Sequence, residues 1–153
     1  MTSIEKAKLS LEGLSLGDAF GELFFSYSPH TSTFTELPKG DWRWTDDTHM
    51  ALSIVEILKT HDCINQDALA QAFVQRYRED PWRGYSRSTA GLLQKISEPA
   101  VWREISPTVF GTGSYGNGAA MRAAPIGGFF ADNPARAAKE AQLSAVVTHT
   151  HPE

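Results

Sequence analysis

Apolar residues recur at three- to five-residue intervals along most of the chain, and no stretch of convincing length alternates apolar with polar. The pattern predicts helices joined by loops. The first helix is expected from Ile4 to about Phe25, with Ala7, Leu11, Leu14, Ala19 and Leu23 turned inward. Gly13, Gly17 and Gly21 share one of its faces. Glycine is worse than alanine inside a helix by roughly 1 kcal/mol, so this stripe predicts a close approach by another backbone, in tight helix packing, or by a ligand. Ser26 to Trp44 is turn-rich, with Pro29, Pro38 and Gly40. A second helix is expected from Thr45 or Asp46 to Lys59, with Met50, Ile54, Ile57 and Leu58 as its core face. A third begins at Asn65 as N-cap, packs through Leu69, Ala72, Phe73 and Tyr77, and stops at Pro81, which disfavours helical geometry at Asp80. A shorter helix is expected over Ser88 to Ile96, followed by an irregular stretch from Pro99 to Gly118. The last helix starts at Asn133 with Pro134 in its first position and runs through Ala138, Ala141, Ala145 and Val146 toward His149.

Length and composition narrow the picture to one domain. The chain has 153 residues, 41% of them hydrophobic, with no compositional break. Its 14 basic and 18 acidic residues give a net charge of −4 without any Lys/Arg cluster, which argues against nucleic acid and membrane surfaces as partners. A small phosphate ligand stays open, because backbone N–H groups at a helix start bind one without net positive charge. Cys63 is the only cysteine and has no nucleophile-like context, so neither a disulfide nor cysteine chemistry is expected. The N-terminus carries neither a signal-peptide core nor a membrane-length apolar run, and a cytoplasmic location is the expectation. Glu153 directly follows Thr-His-Thr-His-Pro, a helix-to-helix connection without a polar tail, the ending expected of a truncated domain. Such a partial core predicts exposed apolar surface and self-association.

Four segments carry candidate chemistry. Thr45-Asp46-Asp47-Thr48 puts two carboxylates and two hydroxyls at a helix start, hard oxygen donors suited to Mg²⁺, Mn²⁺ or Ca²⁺. Taken alone the pattern is better explained as a helix cap. Gly111 to Arg122 is more specific, with Gly111, Gly113, Gly116 and Gly118 leading into an expected helix start. Glycines admit positive φ and close approach, so a phosphate or diphosphate is the natural guest, although a purely structural loop has the same composition. The segment fits neither a Walker A motif nor a dinucleotide fingerprint. Asp80-Pro-Trp-Arg-Gly84-Tyr85-Ser86 joins two helices and reads either as a turn or as an aromatic flank for a sugar or base. His149 and His151 lie near the final helix end, where the dipole favours imidazolium; they lack metal-ligand spacing, so capping or substrate contact is expected. No Gly-x-Ser-x-Gly elbow supports serine hydrolase chemistry.

In order along the chain, Gly13-x-x-x-Gly17-Asp18-Ala19-Phe20-Gly21, Trp44-Thr45-Asp46-Asp47-Thr48-x-Met50, Gly113-Ser-Tyr-Gly-Asn-Gly-Ala-Ala-Met-Arg122 and Thr148-His149 resemble the ADP-ribosylglycohydrolase family. This family includes the dinitrogenase reductase-activating glycohydrolases, and the chain resembles most the branch acting on ADP-ribosyl-serine and O-acetyl-ADP-ribose. The resemblance implies an all-α orthogonal helical bundle and a binuclear Mg²⁺ site, Mn²⁺ in some members. It implies metal ligation by Thr45, Asp46 and Asp47, and a diphosphate cradle of Gly113, Ser114, Gly116, Asn117 and Gly118. Tyr115 would lie near the adenine, and Gly84, Tyr85 and His149 on the ribose side. Asp46 and Asp47 would also serve catalysis. The family's first motif carries a glutamate at the position held here by Phe25; Glu22, one helical turn earlier, is the candidate replacement. The family completes its metal site with an Asp-x-Asp-Thr-like motif far downstream, beyond Glu153. The implied activity is metal-dependent hydrolysis of the bond between ADP-ribose and a protein side chain or small acceptor. The competing expectation is an ADP-ribose-binding pseudoenzyme or inactive fragment.

Overall fold

The computed structural model describes residues 1–25 and 40–152. The turn-rich stretch expected from Ser26 to Trp44 therefore lies outside the described residues, apart from residues 40–44. The fold is all-α, without a strand among the described residues. Its helices are α1 (Ser3–Glu22), α2 (Asp46–His61), α3 (Gln66–Glu79), α4 (Arg87–Lys95), α5 (Trp102–Ile105), α6 (Ala124–Phe129) and α7 (Pro134–Ala145).

Local chemistry sets most of the boundaries. Thr2 and Glu5 close a reciprocal capping box at α1, while Thr45, Asn65, Ser86 and Asn133 each accept a first-turn N–H with their side chains. α2 ends where Asp62 turns into the left-handed region at φ 55°, and α3 ends at Asp80, the residue before Pro81. α2 is the central element: Met50, Ala51, Ile54, Ile57 and Leu58 are buried among Leu69 and Phe73 of α3, Leu92 and Leu93 of α4, Ile126 and Phe129 of α6, and Val147 beyond α7. The core face expected for α2 is the one observed.

Elsewhere the fold departs from the periodicity. α1 stops at Glu22, and Phe25 projects from the following turn, exposed. The interval from Pro99 to Gly118 is less irregular than expected, since it contains α5 and a 3₁₀ segment over Ser106–Gly111, kinked at Val109 and Phe110. Long-range contacts hold it: the Trp102 indole N–H donates to Asp67, and the Ser106 hydroxyl donates to the Val147 carbonyl at 2.6 Å. Beyond Gly118 there is a single 3₁₀ turn over Asn117–Ala119 rather than a helix start. On α7 Glu140 and Ser144 are buried, Ala137, Ala141 and Leu143 pack half-buried against the core, and Ala138 faces solvent.

For the glycine stripe of α1, the tight helix packing is not found among the described residues. A Cβ added to Gly13, Gly17 or Gly21 would meet nothing within 4 Å, so among the described residues no backbone approaches that face. The close approach occurs instead at Gly128 of α6, where a Cβ would stand 2.8 Å from the Lys6 carbonyl oxygen. α6 is unmarked by periodicity, and Gly128 lets it lie directly against α1. The outer face of α1 leaves Leu9, Leu16 and Phe20 exposed.

Candidate functional site

The start of α2 is held from across the chain. The Asp18 carboxylate on α1 accepts the Thr45 and Thr48 N–H groups at 2.8 and 3.1 Å, and the Thr45 and Thr48 hydroxyls at 2.7 and 2.6 Å. One anion thus satisfies two orphan donors of the first turn and offsets the positive end of the helix dipole. With both threonine hydroxyl protons aimed at Asp18, Asp46 and Asp47 are left free to present their own carboxylates. Burial raises both above the ordinary carboxylate range, Asp46 to about 6, reinforced by the Asp47 charge and then by Asp18 and Glu22. For Asp47 burial leads, followed by Asp18 and Glu22.

Such crowded negative charge is relieved by a proton or by a cation. The donors are hard oxygens of the kind Mg²⁺ and Mn²⁺ accept. Thr45 Oγ1 gives its proton to Asp18 and receives only a long 3.4 Å bond from the Asp47 N–H, so a lone pair remains. Among the described residues, however, no three His, Cys, Asp or Glu side chains converge to hold a metal ion. Thr45, Asp46 and Asp47 therefore offer part of a shell.

Gly84 packs directly on this cluster. At φ 85° it takes a conformation that favours glycine, and a Cβ there would stand 3.5 Å from Asp46 Oδ1. The neighbouring Tyr85 hydroxyl is 3.0 Å from His49 Nδ1. Burial and the Asp46 charge raise the tyrosine well above its ordinary range, while burial and then Arg76 and Arg83 lower His49. One hydrogen bond therefore joins two groups that these shifts keep uncharged. Arg83 lies 3.8 Å over the Trp44 ring and pairs with Asp80.

The glycine loop forms the opposite wall. Gly113, at φ 90°, backs onto Thr150, where a Cβ would fall 2.3 Å from the hydroxyl oxygen. Among the described residues the N–H groups of Tyr115, Asn117 and Gly118 meet no protein acceptor, whereas that of Gly116 donates to Ser114 Oγ. His149 stands against the loop so closely that a Cβ on Gly118 would be 2.6 Å from its Cε1. Burial, and then the nearby Arg122 charge, lowers His149 to about 4. It is a neutral imidazole at physiological pH, not the imidazolium expected from the helix end.

One cleft reaches Asp46 and a second reaches its neighbour Thr45. The first, of about 610 Å³, is lined by Asp46, Ser114, Tyr115, Gly116, Asn117, Gly118 and His149, together with Ser86, Ser88, Thr89, Phe110 and Met121. This is a size typical of small-molecule sites. The second, of about 550 Å³, brings together Glu22, Thr45 and Gly84 with Arg43, Trp44 and Trp82. Asp47, Tyr85 and Gly113 line neither.

The ADP-ribosylglycohydrolase family model matches residues 1–153. The chain belongs to the ADP-ribosylglycohydrolase family. It is 35% identical over 136 residues to the ADP-ribosylhydrolase ARH3 of Xenopus tropicalis, an alignment covering 80% of this chain and 39% of that protein. To the ADP-ribosylhydrolase ARH3 of Homo sapiens it is 30% identical over 165 residues, 96% of this chain and 45% of the relative. The Danio rerio protein of the same name is 30% identical over 154 residues, 92% and 41% of the two chains. The chain thus spans less than half the length of these relatives. Sequence reasoning assigned no role to Asp18, His49, Arg122 or Thr148. Each acts through a partner far away in sequence or through burial. The signal that marked Asp18 was only its place in the Gly17-Asp18 motif.

Proposed function

We propose that the larger cleft takes the ADP-ribosyl moiety of a modified protein side chain or small acceptor, and that the glycohydrolase hydrolyses the glycosidic bond joining them with a divalent cation. The observation that carries this reading is that Asp46 and the Ser114 to Gly118 loop line one cleft of small-molecule size. The free N–H groups of Tyr115, Asn117 and Gly118 would bind the diphosphate, and the exposed Tyr115 ring would flank the adenine. The distal ribose would then lie toward Asp46 and Gly84. Thr45, Asp46 and Asp47 would hold Mg²⁺ or Mn²⁺, with the remaining positions filled by water, substrate oxygens or groups outside this chain. A cation held there supplies a fixed positive charge against which ribose hydroxyls are oriented.

Hydrolysis joins a water oxygen to the anomeric carbon as the bond to the acceptor breaks. The proton lost by that water would pass to a carboxylate, for which Glu22, exposed on the cleft that Thr45 lines, is the candidate. The departing acceptor oxygen is reprotonated from solvent.

A second reading is binding of ADP-ribose without turnover. It is favoured by the incomplete ligand set among the described residues and by Phe25 in the place of the family's glutamate. Titration calorimetry with ADP-ribose, paired with release of ADP-ribose from O-acetyl-ADP-ribose or a serine-modified peptide in Mg²⁺, separates the readings. Binding with Mg²⁺-dependent release supports hydrolysis; binding without release selects the second reading; no binding at millimolar ligand removes both.

A further inference from the structure

Beneath the glycine loop lies a cation without a counter-charge among the described residues. Arg122 is fully buried, its guanidinium 4.5 Å over the Phe73 ring, and among the described residues none of its hydrogen bonds goes to a carboxylate. Nη2 donates to the Ser144 carbonyl and to Thr148 Oγ1, both at 2.9 Å, and Nη1 points at the Met50 sulfur at 3.7 Å. Burial lowers the guanidinium to about 9, which leaves it charged at physiological pH. An arginine kept charged in this position is not accounted for by packing alone, since unpaired buried charge is costly.

Its consequence runs through Thr148. Arginine has donors only, so Thr148 Oγ1 must accept from it. The Thr148 hydroxyl keeps one proton, and the acceptor it meets among the described residues is His149 Nδ1, 2.7 Å away. If Nδ1 carried the proton instead, the buried hydroxyl proton of Thr148 would be left without an acceptor. The neutral ring therefore carries its proton on Nε2. That nitrogen has no protein partner among the described residues and stands beside the loop, 2.9 Å from where a Cβ on Gly118 would be.

We propose that Arg122 and Thr148 are positioning residues which fix His149 as a neutral Nε2–H donor aimed into the loop cleft, toward a phosphoryl oxygen of the ligand. The order Arg122 to Thr148 to His149 runs donor to acceptor at each step, ending on a donor that faces the site. A donor fixed in this way needs no reorganisation when an anion arrives. The choice of a phosphoryl oxygen rests on the reading that the cleft takes a diphosphate.

Two measurements test this on the whole chain. Imidazole nitrogen NMR of the ligand-free protein at neutral pH is expected to show His149 as the Nε2–H tautomer with a hydrogen-bonded Nδ1. An Nδ1–H or doubly protonated ring overturns the proposal, whatever the ligand. In calorimetry, Thr148→Val should weaken ADP-ribose binding about tenfold, the loss of roughly one charge-assisted hydrogen bond. Thr148→Ser should restore it to within about twofold. Adenosine, which has no phosphoryl group, should bind both variants as it binds the wild type. In a His149→Ala background, Thr148→Val should change affinity no further; a full additional loss there, or an equal loss for adenosine, overturns the relay. If the wild type binds no ADP-ribose, the functional reading fails while the tautomer measurement still decides the relay.

Discussion

Replacing Asp18 by alanine removes the acceptor of four hydrogen bonds at once: two from backbone N–H groups in the first turn of α2 and two from threonine hydroxyls, at 2.6 to 3.1 Å. A bond to a charged group contributes ~1.5–3 kcal/mol singly. Here the four share one carboxylate, and water reaches the half-buried site, so their losses do not add. A net destabilisation of ~3–4 kcal/mol is expected, within the range for breaking a buried polar network and a large fraction of a domain's ~5–15 kcal/mol. Part of it is offset because the Asp18 charge raises Asp46 and Asp47. Asp18→Asn separates charge from shape. Its amide oxygen placed at the Oδ2 position keeps three of the contacts, and the Thr45 hydroxyl rotates to accept from the amide nitrogen. The expected loss is then ~1–2 kcal/mol. Urea denaturation followed by far-ultraviolet circular dichroism gives both values. An alanine variant within about 0.5 kcal/mol of wild type, or an asparagine variant as damaged as alanine, refutes the argument that Asp18 holds the start of α2.

The raised carboxyl of Asp46 makes a second prediction. Its folded value of about 6 exceeds the unfolded 3.8, so its contribution to stability is present below the unfolded value and is lost as pH rises through about 6. Asp46→Asn should therefore be more stable than wild type at pH ~7.5, with the difference shrinking toward pH ~4–5. A constant difference across urea titrations counts against it. If Mg²⁺ binds there, its stabilisation of the wild type should be larger at the higher pH and absent in the variant, read as a thermal shift. Gly128→Ala forces a Cβ to 2.8 Å from a backbone oxygen and should destabilise despite alanine's better propensity. Gly17→Ala meets nothing within 4 Å among the described residues and should stabilise by ~0.5–1 kcal/mol; the opposite order of melting temperatures contradicts the packing. Gly118→Ala drives a Cβ to 2.6 Å from the His149 ring, so ADP-ribose affinity should fall about tenfold or more while stability changes little; unchanged affinity removes His149 from the ligand site.

What the sequence determined by itself is the set of features whose causes lie within a few residues. The second, third and last helices were legible because Thr45, Asn65 and Asn133 cap them, Pro81 stops one, and their apolar faces repeat locally. The motif order also determined the family, and it drew together residues that now line one cleft, Asp46 with Ser114 to Gly118 and His149. Tertiary structure alone decided which glycine is packed tightly, because Gly17 and Gly128 look alike until α6 is laid on α1. It decided that Trp102 and Ser106 order a stretch without periodicity, since their partners Asp67 and Val147 are distant in sequence. It also decided the charges. Helix-end reasoning favoured an imidazolium at His149, but burial beside a guanidinium held by Ser144 and Thr148 makes it neutral. Caps and periodicity are local and are written along the chain; packing, solvation and electrostatic fields depend on which distant segments the fold brings into contact.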